Sequence, residues 1–202
     1  MKIALIVIGV VVLMLVLVGG KYVGVRNDLV TQQEAVRAQW SQVESAMQRR
    51  ADLIPNLVST VKGFAAHETE VYKDIADARA ALAGGRTPQE KIAANDQLNT
   101  AISRLLVVVE NYPQLKSNEN FLHLQDELSG TENRINVERR KYNEALQTYN
   151  TTLQLFPNNI VASMSGFTRN DAYFKTEEGA RQAPKVNFGT PGTQQPVPAP
   201  SQ

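Results

Sequence analysis

Val36-Arg37-Ala38-Gln39-Trp40-Ser41-Gln42-Val43-Glu44-Ser45-Ala46-Met47-Gln48-Arg49-Arg50-Ala51-Asp52-Leu53-Ile54-Pro55-Asn56-Leu57-Val58-Ser59-Thr60-Val61-Lys62-Gly63-Phe64 carries the pattern that decides the fold. Val36, Trp40, Val43, Met47, Ile54, Leu57, Val61 and Phe64 recur at alternating steps of four and three, and Arg50 fills the one step that is not apolar. Such spacing puts one stripe on one side of a helix and makes that side a bundle seam. Pro55 removes a helical hydrogen bond, yet the stripe keeps its phase on both sides, which predicts a kink near residues 51–54 rather than a break.

The same period continues outward. Val71, Ile75, Ala78 and Leu82 form a second stripe, and Leu98, Ile102, Leu105 and Val109 a third. Phe121, Leu124, Leu128, Thr131, Ile135, Glu138, Tyr142, Ala145 and Tyr149 form a fourth. No stretch alternates with period two, so the fold class is all-α. Thr87-Pro88-Gln89-Glu90 is a capping box with proline at the first helical position, after the Gly84-Gly85 break. Tyr112-Pro113 and Phe156-Pro157 stop helices, Ser117 or Asn118 caps the fourth, and Gly63 is expected to close the first as a left-handed cap. Helices are predicted at about 24–62, 68–83, 88–111 and 118–154. Short links make neighbours antiparallel: two long helices form a spine and the two shorter ones pack along its distal part.

Ahead of the bundle, Ile3 to Gly20 contains no charged or strongly polar side chain and follows Lys2. As a helix it spans about 27 Å, the thickness of a bilayer's hydrocarbon core. Residues 1–23 therefore read as a transmembrane anchor. The competing reading is a secretory signal peptide cut near Val18-Gly19-Gly20; the apolar run is longer than a usual signal core and has no Ala-x-Ala ending, which favours the anchor. Lys2 on one side and Lys21, Arg26 and Arg37 on the other leave the orientation open. At the other end, residues 179–202 hold five of the nine prolines among Gly, Thr and Gln, the composition of a disordered tail. The bundle domain is thus residues 24–178. Its fourth helix returns toward the membrane, so Ile160, Val161, Met164 and Phe167 either cover the end of the bundle or form a membrane-interface segment.

The composition narrows the chemistry. A formal net charge of +1 gives no basic face for a phosphate backbone, so no nucleic-acid partner is expected. Zero cysteines exclude disulfides, thiolate metal sites and thiol nucleophiles. His67-Glu68 begins like a zinc-protease helix, but the fourth residue on is Val71; His123 is the other histidine, beside a core stripe. No metal, cofactor or catalytic residue is assigned. What remains is polarity at or beside seam positions: Arg49, Arg50 and Asp52 on the first helix, and Glu132, Arg134, Glu138 and Arg139 on the fourth. Charges there must pair or be expelled. They read as a buried network that fixes helix register or, alternatively, as a polar binding site between helices. Asn150-Thr151-Thr152 is a glycosylation sequon of the kind that arises by chance.

The motifs also carry a resemblance. Arg49-Arg50-Ala51-Asp52-Leu53-Ile54-Pro55-Asn56-Leu57-Val58, Val61-Lys62-Gly63-Phe64 and His67-Glu68 are similar to the hallmark of the LemA family of bacterial membrane proteins. Glu110-Asn111-Tyr112-Pro113-Gln114-Leu115-Lys116, Asn120-Phe121, Leu124-Gln125 and Glu132-Asn133-Arg134-Ile135 extend it, as do Arg139-Arg140-Lys141-Tyr142-Asn143, Tyr149-Asn150 and Phe156-Pro157-Asn158. The resemblance implies one N-terminal membrane segment before a helical bundle, no established catalytic residues, and partners among envelope proteins such as a membrane metalloprotease. Some members carry a lipoprotein cysteine; this chain has none, so attachment falls to the helix alone. The expectation is a single-pass protein of the bacterial cell membrane. It would work as a scaffold or adaptor through self-association, likewise through protein partners, with a solute- or lipid-binding bundle as the alternative.

Overall fold

A computed structural model describes residues 2–175. Six helices follow in order: α1 Lys2–Lys62, α2 Thr69–Gly84, α3 Pro88–Glu110, α4 Pro113–Lys116, α5 Glu119–Gln154 and α6 Asn158–Ser165. Among the described residues there is no strand. The four predicted helices are present within a residue or so of their expected ends, except that the first does not begin at residue 24. Instead α1 is a single helix of 61 residues that includes the whole apolar stretch. Gly19, Gly20 and Gly24 do not interrupt it. The proline-rich stretch 179–202 lies outside the described residues.

The stripes read from sequence are the core. Val36, Val43, Met47, Ile54, Leu57 and Val61 are buried on α1, with Leu29 extending the seam toward the N-terminus. Leu98, Ile102, Leu105 and Val109 are buried on α3, and Phe121, Leu128, Ile135, Tyr142 and Tyr149 on α5. Trp40 against Tyr142 and Arg50 against Glu132 set the register of α1 with α5. Ten residues forward on one helix match ten back on the other, so the pair is antiparallel and unslipped. Hairpin α2–α3 lies against the distal half of this spine through Arg79 to Ala51, Lys91 to Glu44 and Arg50 to Asn99.

Two details differ from the sequence expectations, the cap at Gly63 and the place of Phe64, and Pro55 adds a contact that was not expected. Gly63 is not left-handed: the positive-φ glycine among the described residues is Gly166, which closes α6. The end of α1 is instead tied off by the amides of Phe64 and Ala65, both bonded to the Val61 carbonyl. That tighter turn swings Phe64 outward, 40% exposed, and puts Ala65 into the core in its place. Pro55 does not break α1, which continues through it. Because proline has no N–H, the carbonyl four residues back, on buried Ala51, loses its helical donor. Arg79 of α2 supplies the missing hydrogen bond from Nε at 3.1 Å. The residue expected to bend the helix therefore marks where the second helix attaches.

Capping follows the sequence closely. Thr87 accepts from the Glu90 amide at 3.2 Å, while the Glu90 carboxylate accepts from the amides of Arg86 and Thr87, which hold it below the usual carboxylate range. Asn118 accepts from the Phe121 amide at 3.1 Å and starts α5.

Candidate functional site

The polar residues at seam positions do not form one network. They separate into three places along the bundle.

The first is a node at Arg50, 6% exposed, whose guanidinium donates to Asn99 of α3 and Glu132 of α5. One side chain thus ties three helices. Burial pushes the guanidinium below its ordinary value, and the Glu132 charge opposes that shift. Its Nε has no hydrogen-bond partner among the described residues. The node floors a cleft of about 470 Å³ between α3 and α5, whose polar lining includes Ser103, Gln125, Ser129 and Asn133. The second place is Glu138, 3% exposed, which accepts from Lys141 and pairs with Arg134 at 3.1 Å. These partners belong to α5 itself, so this cluster ties no second helix. Arg49 and Asp52 join neither: Asp52 is exposed and accepts from Gln48 at 2.9 Å, and Arg49 is exposed, lining a shallow cleft with Glu127 and Arg134. Both lie one or two positions off the stripe, and that rotation is enough to carry them to solvent.

The third place was not foreseen. After α6 the chain turns back along the α1–α5 groove as an extended strap, residues 167–175. Asn143 donates to the Phe174 carbonyl and accepts from the Phe174 amide, both at 3.0 Å. Seven residues on, Asn150 does the same to Asn170, and it also donates to the Tyr173 hydroxyl at 2.8 Å. Each carboxamide imitates one rung of a sheet for a strand that has no sheet to join. Phe174 then enters a trio with Trp40 and Tyr142, and the Arg139 guanidinium lies 4.6 Å from the centre of its ring. Among the described residues, Arg139 therefore serves the strap rather than an ion pair. The buried Asn150 side chain, 3% exposed, leaves no room for a glycan at the sequon. The sequence does carry a signal for this feature: two asparagines seven apart share the face of buried Leu146 and Leu153.

At the apolar end, α6 divides the segment whose role was left open. Val161 and Ala162 are buried against the bundle, and Phe167 is half-buried against its core. Ile160 and Met164 point away, 51% and 72% exposed. Tyr22 of α1 meets Ser165 at 3.0 Å.

None of these places pairs a nucleophile with a base. His67 and His123 are both exposed, and among the described residues no group of three or more His, Asp or Glu is gathered to hold a metal. The LemA family profile matches residues 39–188. The chain belongs to the LemA family. Among relatives, Magnetosome protein MamQ 2 of Paramagnetospirillum magneticum is 29% identical over 189 residues, covering 79% of this chain and 68% of that protein. Magnetosome protein MamQ of Magnetospirillum gryphiswaldense is 26% identical over 76% of this chain and 66% of its own length. Protein LemA of Metamycoplasma hominis is 25% identical over 70% and 65%. The match places the Arg50 node, the Pro55–Arg79 contact and the strap inside the LemA region, whereas the whole apolar stretch lies before it.

Proposed function

We propose that this LemA-family chain is a single-pass protein of the bacterial cell membrane, working as a scaffold or adaptor through self-association and protein partners at the cell envelope. The observation that carries this reading is the unbroken α1. Its first part is apolar and exposed from Ile3 to Val18, and its second part is one wall of the bundle core. A stretch of that length and hydropathy is sufficient to cross a bilayer. A helix without a break transmits orientation, so the bundle would stand at a fixed attitude to the membrane rather than swing on a linker. That suits a protein that presents helix faces to others. Envelope proteins such as a membrane metalloprotease are the partner class proposed. Native mass spectrometry of the full chain in detergent tests this: oligomers or a co-purifying protein are expected, and a ligand-free monomer that recovers no partner on affinity purification would contradict it.

A second reading, a solute-binding bundle, rests on the Arg50 cleft with its unpartnered Nε. It predicts a retained small molecule in the same experiment, lost on Glu132→Gln.

A further inference from the structure

The chain carries no charged side chain from Ala145 through Thr168, a run of 24 residues in a protein where one residue in five is charged. That run forms the end of the bundle nearest the apolar part of α1. It exposes Leu155 at 54%, Phe156 at 81%, Ile160 at 51% and Met164 at 72%. Exposed apolar side chains scattered singly need no explanation, but four within ten residues do. Ile160 and Met164 share the face of α6 opposite to buried Val161 and Ala162.

Between this face and α1 lies a cleft of about 750 Å³, walled by Leu17, Val18, Tyr22, Ile160, Val161 and Met164, with Lys21 at its edge. Its lining reaches back to Met14, six residues before Gly20, or about 9 Å along the helix. The Tyr22–Ser165 hydrogen bond fixes α6 at the level where the apolar stretch ends. Helices that lie in a membrane surface sink their apolar face about 5–10 Å into the boundary between headgroups and chains, and the cleft spans that depth.

We propose that the cleft seats an acyl chain of a bilayer phospholipid, so that α6 lies in the interface as a second membrane contact beside the spanning helix. The occupant follows from continuity: one wall of the cleft is the same helix surface that lipid covers if residues 3–20 span the bilayer, the reading on which this inference rests. Lys21 then stands where a lipid phosphate would be, and the uncharged α6 side of the cleft avoids the cost of burying charge.

Trp40, the one tryptophan, lies 20 residues past Gly20, about 30 Å up the helix, and supplies a baseline that lipid does not reach. The full chain, as Phe156→Trp, Met164→Trp and Leu13→Trp, is reconstituted into phosphatidylcholine vesicles with and without bromines near the glycerol end of the acyl chains. Far-UV circular dichroism checks that each variant is folded. The expected result is that bromine removes about half or more of the emission added at positions 156 and 164, with Trp40 in the unsubstituted chain little changed. Quenching at position 13 with none beyond the Trp40 baseline at 156 and 164 would overturn the proposal and leave the anchor intact, with α6 facing water or another copy of the chain. No quenching at position 13 would overturn the spanning reading and this inference with it.

Discussion

Removing Arg79 while restoring the helical amide at residue 55 isolates one interaction that the fold depends on. The Ala51 carbonyl lacks a helical donor because residue 55 is proline, and Arg79 Nε reaches it at 3.1 Å across the α1–α2 interface. Leaving a buried carbonyl without a partner costs about 1–3 kcal/mol. Arg79 is itself exposed, so water enters part of the vacated space and the cost of Arg79→Ala falls at the lower end, about 1 kcal/mol. In a chain of this size that lowers Tm by about 2–4 °C. Pro55→Ala supplies a new N–H to the same carbonyl and relieves the ring's clash with it. In that background Arg79→Ala should cost less than about 0.5 kcal/mol, giving a coupling of about 0.5–1 kcal/mol in the double-mutant cycle. Thermal unfolding of the full chain in detergent, followed by circular dichroism, measures all four corners. An Arg79→Ala cost that is the same with proline or alanine at 55 would refute the reasoning, because the arginine would then not be answering the proline's missing amide.

Arg50→Met should destabilise by about 2–4 kcal/mol, since Asn99 and Glu132 lose their shared donor, whereas Arg50→Met with Glu132→Met should recover most of that loss; chemical denaturation compares them. Asn143→Ala should remove amide-exchange protection from residues 168–175 and leave α2 and α3 unchanged by hydrogen-exchange mass spectrometry, because its two bonds reach only Phe174. Burial pushes the Tyr142 phenol up to about 12, with Tyr173 adding to the shift. The folded state thus favours the neutral phenol: this contribution to stability is complete below the ordinary tyrosine value of about 10 and disappears as pH rises through about 12. Phenolate absorbance should show Tyr142 ionising only as helicity is lost. Tyr142→Phe should be neutral or stabilising, because the buried hydroxyl has no hydrogen-bond partner.

Much of this fold was written in spacing. The steps of three and four from Val36 to Val61 located the seam, and Thr87 and Asn118 marked helix starts, because each signal is local and acts through a neighbour three or four residues away. Features that depend on distant partners were hidden. The carbonyl orphaned by Pro55 is visible locally, while the Arg79 that answers it is 24 residues on. The fused α1 was divided at residue 24 because the composition there changes from an apolar stretch to a charged one, yet lengthening an existing helix is cheaper than starting another. The strap escaped because Phe174 and Asn170 have no period of their own; their order comes from Asn143 and Asn150. Arg50 was legible from its seam position, but Glu132 lies one step off the α5 stripe, as Arg49 does off the α1 stripe, so the pairing itself was not.

A rigid passage from the apolar stretch into the bundle is the centre of the account, and the absence of native cysteines makes it directly measurable. Spin labels on Leu13→Cys and Ser41→Cys, 28 residues apart on α1, should give a narrow distance distribution near about 42 Å by double electron–electron resonance in lipid nanodiscs. A broad distribution centred well below that value would contradict the account, because it would place a hinge between membrane segment and bundle.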